Sequence, residues 1–220
     1  MTDHIKELPK GDVLVHAGDF SNVGRPEEIL HFNEFLAQFT SFKHKVVIAG
    51  NHDISFDVQA YPKIGPVFHG HRLCDPVEVR KTLTGCTYLE NSGCVIDGVR
   101  FWGVPQQPRF FDWAFNEDRG APISKYWEQV PTDTDVLITH GPALGHGDLC
   151  KSNDRAGCLD LLREIQTRIK PQFLVCGHVH EGYGVTSDST TTYVNASTCN
   201  FSYQGVNPPI VVDVQKPKNW

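Results

Sequence analysis

Four short motifs gather residue types that bind divalent cations: Gly18-Asp19, Gly50-Asn51-His52-Asp53, Thr139-His140-Gly141 and Gly177-His178-Val179-His180. A carboxylate such as Asp19 can bridge two cations. The Asn51 amide oxygen can ligate without adding charge, and neutral imidazoles at His140, His178 and His180 offer ring nitrogens. In His178-Val179-His180, alternate residues of extended chain face the same side, so two imidazoles can share a cluster. His52 follows Asn51 directly and points elsewhere. It is available to protonate a leaving oxygen or, as a cation, to stabilise developing negative charge. No thiolate joins the set, which favours manganese, iron or zinc at a catalytic site over a structural cysteine-bound zinc.

Other candidates read more weakly. His69-Gly70-His71 repeats the His-x-His spacing, but no apolar strand precedes it, and it reads as a partnerless surface or loop pair. His4, His16, His31 and His44 read as solvated or core histidines. His146 lies close behind His140 and could touch substrate. Phe110, Phe111 and Trp113 could stack a base, although packing is the commoner use of aromatic residues.

Each of the four motifs follows an apolar run: Val13-Leu14-Val15, Val46-Val47-Ile48-Ala49, Val136-Leu137-Ile138 and Phe173-Leu174-Val175-Cys176. Without polar alternation these read as central strands covered on both faces. Strand ends at one edge of an α/β sheet are where such folds place ligands, so the motifs converge on one rim. Between the first two runs, Ile29, Phe32, Leu36 and Phe39 recur at helical spacing over Arg25 to Thr40, with Pro26 in the tolerated first turn. A second helix starts at Asp75-Pro76, capped by Asp75, and ends near Gly85. A third carries Leu159, Leu162, Ile165 and Ile169 and stops before Pro171. Val95-Ile96 and Val99-Phe101 form a hairpin through Asp97-Gly98. Pro105 to Tyr126 reads as irregular chain, and Pro208 to Val214 as a last strand.

With 220 residues, the chain can bury one substantial core and reads as a single domain. Its 20 basic and 26 acidic residues include no basic block, which argues against a nucleic-acid polymer as partner. A small phosphorylated ligand held by metal remains open. Seven widely spaced cysteines lack any Cys-x-x-Cys pair, so zinc-finger and redox readings fall away. No signal region or bilayer-length apolar window occurs, and a cytoplasmic setting without membrane contact is the expectation.

In order, the Gly-Asp, Gly-Asn-His-Asp, Thr-His-Gly and Gly-His-x-His series is similar to the calcineurin-like metallophosphoesterase superfamily. Longer matches narrow it. Leu14-Val15-His16-Ala17-Gly18-Asp19-Phe20, Asp112-Trp113-Ala114-Phe115-Asn116, Gly145-His146-Gly147-Asp148 and Gly177 through Gly184 resemble the metallophosphoesterase-domain-containing subfamily, over about Gly11 to Val214. The resemblance implies an α/β fold, a two-sheet α-β-β-α sandwich with a dinuclear site at the strand ends. It implies divalent metal ions, one or two per chain, manganese first and iron or zinc as alternatives. Asp19 would bridge them, with Asn51, His140 and His178 completing one metal and His180 serving the other. His52 would be the catalytic histidine. The implied reaction is in-line attack of metal-bound hydroxide on a small phosphodiester, with cyclic nucleotides as a candidate class.

The superfamily also carries an Asp-x-His motif near its start, and no such motif occurs in this sequence. Asp3-His4 does not substitute, because adjacent residues on extended chain point to opposite sides. The expectation is an N-terminally shortened domain, 1–220, missing its first strand. Three consequences are expected: one tightly held cation beside a weak or empty second site, reduced phosphodiesterase activity, and marginal stability or association into oligomers through a vacant strand edge. The alternative is a catalytically weak regulatory protein that binds nucleotide or phosphate, and a non-functional truncated form is a third reading.

Overall fold

The computed structural model describes residues 8–216. The chain runs β1 (Val13–His16), α1 (Pro26–Gln38), β2 (His44–Val47), a 3-10 turn (Ile54–Phe56), α2 (Tyr61–His69), α3 (Pro76–Lys81), β3 (Thr87–Tyr88), β4 (Ser92–Ile96) and β5 (Val99–Val104). It continues through β6 (Gln107–Pro108), β7 (Asn116–Glu117), α4 (Ala121–Trp127), β8 (Val136–Thr139), α5 (Leu159–Glu164), β9 (Phe173–Cys176), β10 (Gly184–Ser187) and β11 (Thr192–Asn195).

Local chemistry explains most element ends. Pro26 opens α1 where its missing N–H costs nothing, and the Glu28 carboxylate reaches back to the Arg25 N–H at 2.9 Å. Ile29, Phe32 and Leu36 are fully buried along one face, each stabilising the fold by about 1.5–3 kcal/mol. Asp75 caps α3 by accepting from the Val77 and Glu78 N–H groups. That helix ends at Lys81, short of Gly85, where the Thr82 hydroxyl donates to the Val79 carbonyl. Asp97 and Gly98 both take positive φ, as a two-residue hairpin turn requires, and join antiparallel β4 and β5. Helix α5 widens into a π turn over Ile165–Ile169, closed by Lys170 N–H to Ile165 O at 2.9 Å. Ile165 and Ile169 are buried and Leu162 packs on the same core, as expected, whereas Leu159 is exposed and Leu161 takes the inward place.

Three parallel strands in the order β1-β2-β3 form one sheet, and β10-β11-β9-β8-β5-β4 form a second. The second is parallel at its centre and antiparallel at both edges. Alternating residues divide into three cores. Leu14 and Val47 face α1, α2 and α3; Val46, Ile48, Phe101, Ile138 and Val175 fill the space between the sheets; Leu137, Leu174 and Tyr193 face α4 and α5. The layers are therefore α-β-β-α, as expected.

Four differences from the sequence reading have physical causes. The run Val13 to Val15 is not central among the described residues; β1 is an edge strand and only half-buried. Pro208 to Val214 is extended but belongs to no strand. Ile210, Val212 and Val214 pack on the inter-sheet core, yet no ladder partner lies beside them among the described residues. A groove of about 750 Å³ separates this segment from β1, lined by Val13, Val15, Val175, Val194, Ile210 and Val212. The stretch expected to be irregular, Pro105 to Tyr126, instead contains β6, β7 and most of α4. Helix α2 was not legible, because Pro62 and Pro66 break its pattern although the first-turn proline is tolerated. Asp3, His4 and the expectations about the chain's beginning lie outside the described residues.

Candidate metal centre

The C-terminal ends of β1, β2, β8 and β9 deliver Asp19, Asn51, His140 and His178 to one rim between the sheets. Glycines make the approach possible. A Cβ on Gly50 would collide with Asp19 Oδ1 and stand 2.5 Å from His140 Cε1. Asp19 and His178 both adopt positive φ, 58° and 64°, which turns each side chain inward from its strand end.

Ligand atoms of Asp19, His140 and His178 all lie within 4.8 Å of one another. Asn51 Oδ1 sits among them, 2.9 Å from His140 Nε2 and 2.9 Å from His178 Nδ1. His140 Nδ1 donates to the Ala17 carbonyl at 2.8 Å, leaving Nε2 to face Asn51 Oδ1 and, at 3.2 Å, Asp19 Oδ2. Two oxygen acceptors thus converge on a nitrogen that is itself a lone-pair donor when the ring is neutral. Only a proton or a cation reconciles them. The buried Asn51 Nδ2 has no hydrogen-bond partner among the described residues, so the amide is oriented by its oxygen, leaving a donor unmet at a cost of about 1–3 kcal/mol. The donor set fits one divalent cation held by Asp19, Asn51, His140 and His178.

Electrostatics match this arrangement. Burial opposes ionisation of Asp19, but His140 and His52 outweigh it and hold the carboxyl below the usual range. Burial likewise opposes a charged His140, and the adjacent Asp19 overcomes it, raising the imidazole. Burial, then the neighbouring His140, lowers His178 to about 3 and keeps it neutral. One anion, one amide, a neutral His178 and a His140 whose Nε2 proton a cation would replace make the ligand chemistry of a borderline divalent ion.

His180 lies in the short 3-10 turn His180–Gly182 and is not part of the three-residue group. Its Nδ1 meets the Asn200 carbonyl at 3.0 Å, and its ring stands edge-on to Tyr203. His52 donates through Nδ1 to the Asn22 carbonyl at 2.8 Å, while its backbone N–H bonds Asp19 Oδ1 at 2.9 Å. Nε2 is therefore the ring nitrogen left to give or take a proton. Trp113 packs over the His52 ring at 4.2 Å, and Phe110 stands edge-on to His178 at 5.2 Å. Phe111 is largely exposed beside Phe110. His146 stacks on Tyr193 and bonds Thr186 Oγ1, outside the group.

Two assignments need correction or addition. His69 is no surface residue: it is buried and hydrogen-bonded to Tyr61 Oη and the Val23 carbonyl. Asp53 carried no role in the sequence reading. Its fully buried carboxylate accepts from the N–H groups of Asp19, Ser21 and Gly50 and from the Ser21 hydroxyl. Burial and then the Asp19 charge raise Asp53 to about 7, with the Ser21 and Gly50 bonds opposing the shift. The only sequence signal was an acidic residue two positions beyond Asn51 in a glycine-led turn.

Comparison with known proteins agrees with this geometry. A family model described as calcineurin-like phosphoesterase matches residues 1–182. The chain belongs to that family, and is by membership a metal-dependent phosphoesterase, a hydrolase. Among its relatives, metallophosphoesterase domain-containing protein 1 of Homo sapiens is 44% identical over 230 residues, covering 99% of this chain and 69% of the relative. The protein of the same name from Mus musculus matches equally. A UPF0046 protein of Caenorhabditis elegans is 40% identical, covering 97% of this chain and 71% of its own length. No helix among the described residues is long and apolar enough to cross a membrane.

Proposed function

We propose that the chain is a phosphodiesterase acting on small phosphodiesters, with cyclic nucleotides the first class to test and manganese the first metal. The observation that carries this reading is the convergence of Asn51 Oδ1 with His140 Nε2 and His178 Nδ1, one residue from a His52 whose Nδ1, and not Nε2, is engaged by the Asn22 carbonyl. A divalent cation held there supplies neutralisation of phosphoryl charge and a water of lowered pKa. The chain's own residues do the rest. Asp19 and Asn51 orient the ion-binding atoms, and His52 holds a proton at Nε2 for the departing oxygen. Phe110 and Phe111 offer exposed aromatic surface beside His178, on which a nucleobase could stack. Seven free cysteines accord with the cytoplasmic setting.

Reduced activity is part of the proposal, and so is a second reading as a regulatory protein that binds nucleotide or phosphate. It is favoured by the separation of His180 from the other three side chains, which supports one well-built cation site beside a sparse one. Hydrolysis of a chromogenic phosphodiester with added Mn²⁺ separates the readings. Turnover that falls at least about a hundredfold in His52→Ala supports the enzyme. Metal-dependent nucleotide binding without turnover sensitive to His52→Ala or Asn51→Ala supports the binding protein.

A further inference from the structure

His52 is held from two sides, and both routes lead to consecutive residues of α2. Along the first, its Nδ1 donates to Asn22 O, and the next carbonyl, Val23 O, accepts from His69 Nε2 at 2.7 Å. Along the second, its ring packs on Trp113, which packs on Phe68 with ring centroids 4.5 Å apart. Phe68 and His69 are the last two residues of the helix.

His69 itself is fully specified. A carbonyl can only accept, so Nε2 carries the proton and Nδ1 is left as an acceptor for the Tyr61 hydroxyl at 2.8 Å. That hydroxyl in turn accepts from the Cys74 backbone N–H at 3.0 Å. The Cys74 thiol also lies 3.1 Å from that hydroxyl and 3.8 Å from His69 Nδ1, so the relay closes on both the N–H and the thiol of Cys74, and a connected network of this kind favours one geometry over neighbouring ones. The loop it grips is also tethered from the opposite side. Glu28 accepts from the N–H groups of Asn22, Val23 and Arg25 and from the Asn22 side-chain amide. The Asn22-Val23 segment that orients His52 is therefore clamped between a carboxylate on its N–H groups and an imidazole on the Val23 carbonyl.

We propose that the end of α2 is a positioning clamp for His52, in which His69, oriented by Tyr61, fixes the Asn22-Val23 carbonyls and Phe68 backs Trp113. This rests on the reading of His52 as the proton-transfer residue. None of these three touches the reacting atoms, so the effect is carried through His52 alone.

The test compares His69→Leu, His69→Gln and Tyr61→Phe in the full chain with Mn²⁺ and a chromogenic phosphodiester. His69→Leu is expected to lower kcat about tenfold with KM within about twofold. Gln places an amide N–H near the original Nε2 and is expected to recover kcat to within about threefold of the unmutated chain. Tyr61→Phe, which removes only the hydroxyl, lies between and serves if His69→Leu does not fold. In a His52→Ala background the same changes are expected to add nothing, because they act through the absent ring. A second readout needs no turnover: the His52 Nδ1–H proton resonance in the metal-free chain shifts or broadens in His69→Leu and returns in His69→Gln. An equal loss of kcat in the His52→Ala background, or an unmoved His52 resonance in His69→Leu, overturns the clamp. If the unmutated chain does not hydrolyse phosphodiesters, the enzymatic reading fails, and the resonance alone decides the clamp.

Discussion

Asp53 accepts a hydrogen bond from the backbone N–H of Asp19 at 2.9 Å, and the same oxygen takes the Gly50 N–H at 2.7 Å. One buried carboxylate thereby sets the spacing between the loop after β1 and the loop after β2, which carry Asp19 and Asn51. Two candidate metal ligands are thus positioned by a residue that would not itself touch the metal.

Removing that carboxylate strands several buried donors. Asp53→Ala is expected to cost at least about 3 kcal/mol, since each unmet buried donor costs about 1–3 kcal/mol. Urea unfolding measures it, and a loss below about 1 kcal/mol would mean the four bonds are not structural. Cation affinity is expected to fall as well, because the two loops lose their common anchor.

A cation that binds only the folded chain must raise its melting temperature, with stabilisation of about 2.7 kcal/mol at a hundredfold excess over Kd. The expected outcome is an upward shift with Mn²⁺ or Zn²⁺ that a chelator reverses. Asp19→Asn and Asn51→Ala are expected to abolish it. An undiminished shift in both variants would place the ion elsewhere.

His178 and His180 are expected to differ sharply despite their shared motif. Only His178 belongs to the group within 4.8 Å. His178→Ala should weaken the tightest cation by at least about tenfold, and His180→Ala by less than about threefold. Isothermal titration read with elemental analysis decides, and two equally tight ions per chain would refute the asymmetry.

Asp188 holds the β10–β11 turn by accepting from the Thr190 and Thr191 N–H groups and from the Tyr193 hydroxyl, each at 2.8 Å. Burial pushes its pKa up, but the bonds from Thr191 and Thr190 outweigh it and lower the group from 3.8 to about 2. A depressed carboxyl stabilises the fold above its unfolded pKa and loses that contribution as pH falls through the folded one. The expected signature is a hairpin contribution intact above about pH 4 and lost toward pH 2. Asp188→Asn should flatten that part of the pH–stability curve, and an identical curve would discount the turn.

Among the described residues no strand pairs with the outer side of β1, which predicts association. In a parallel ladder alternate residues bond opposite neighbours, and Asp12 O and His16 O already serve β2. Val13 and Val15 therefore turn their backbone groups toward the groove. Sedimentation is expected to show concentration-dependent association that Val15→Pro suppresses, since proline offers an added strand no N–H at that edge position. A monodisperse monomer at all concentrations would count against it.

Much of the framework was legible because it depends on local pattern. The apolar runs before Gly18, Gly50, His140 and Gly177 specify strands, buried in every case but the half-buried β1, and Ile29, Phe32 and Leu36 specify a helical face, without reference to distant chain. Helix α2 was hidden by its prolines, since its stability comes from packing Tyr61 and Ile64 against the core and not from propensity. The segment Ile210 to Val214 shows the converse. Its alternation is strand-like, but a strand exists only where a neighbour supplies a ladder.

By itself the sequence determined which side chains could hold a cation, and that strand ends would present them, because residue type and strand periodicity are local properties. Only the tertiary structure decided which of them meet. Asp19, Asn51, His140 and His178 are brought together across as many as 159 positions of chain by two sheets packing face to face. His180, two residues from His178, is turned aside by a 3-10 turn and bonded to Asn200. The supports of the site were invisible for the same reason. Asp53 and His69 look like ordinary polar residues until burial removes water and leaves each with only the partners that packing provides.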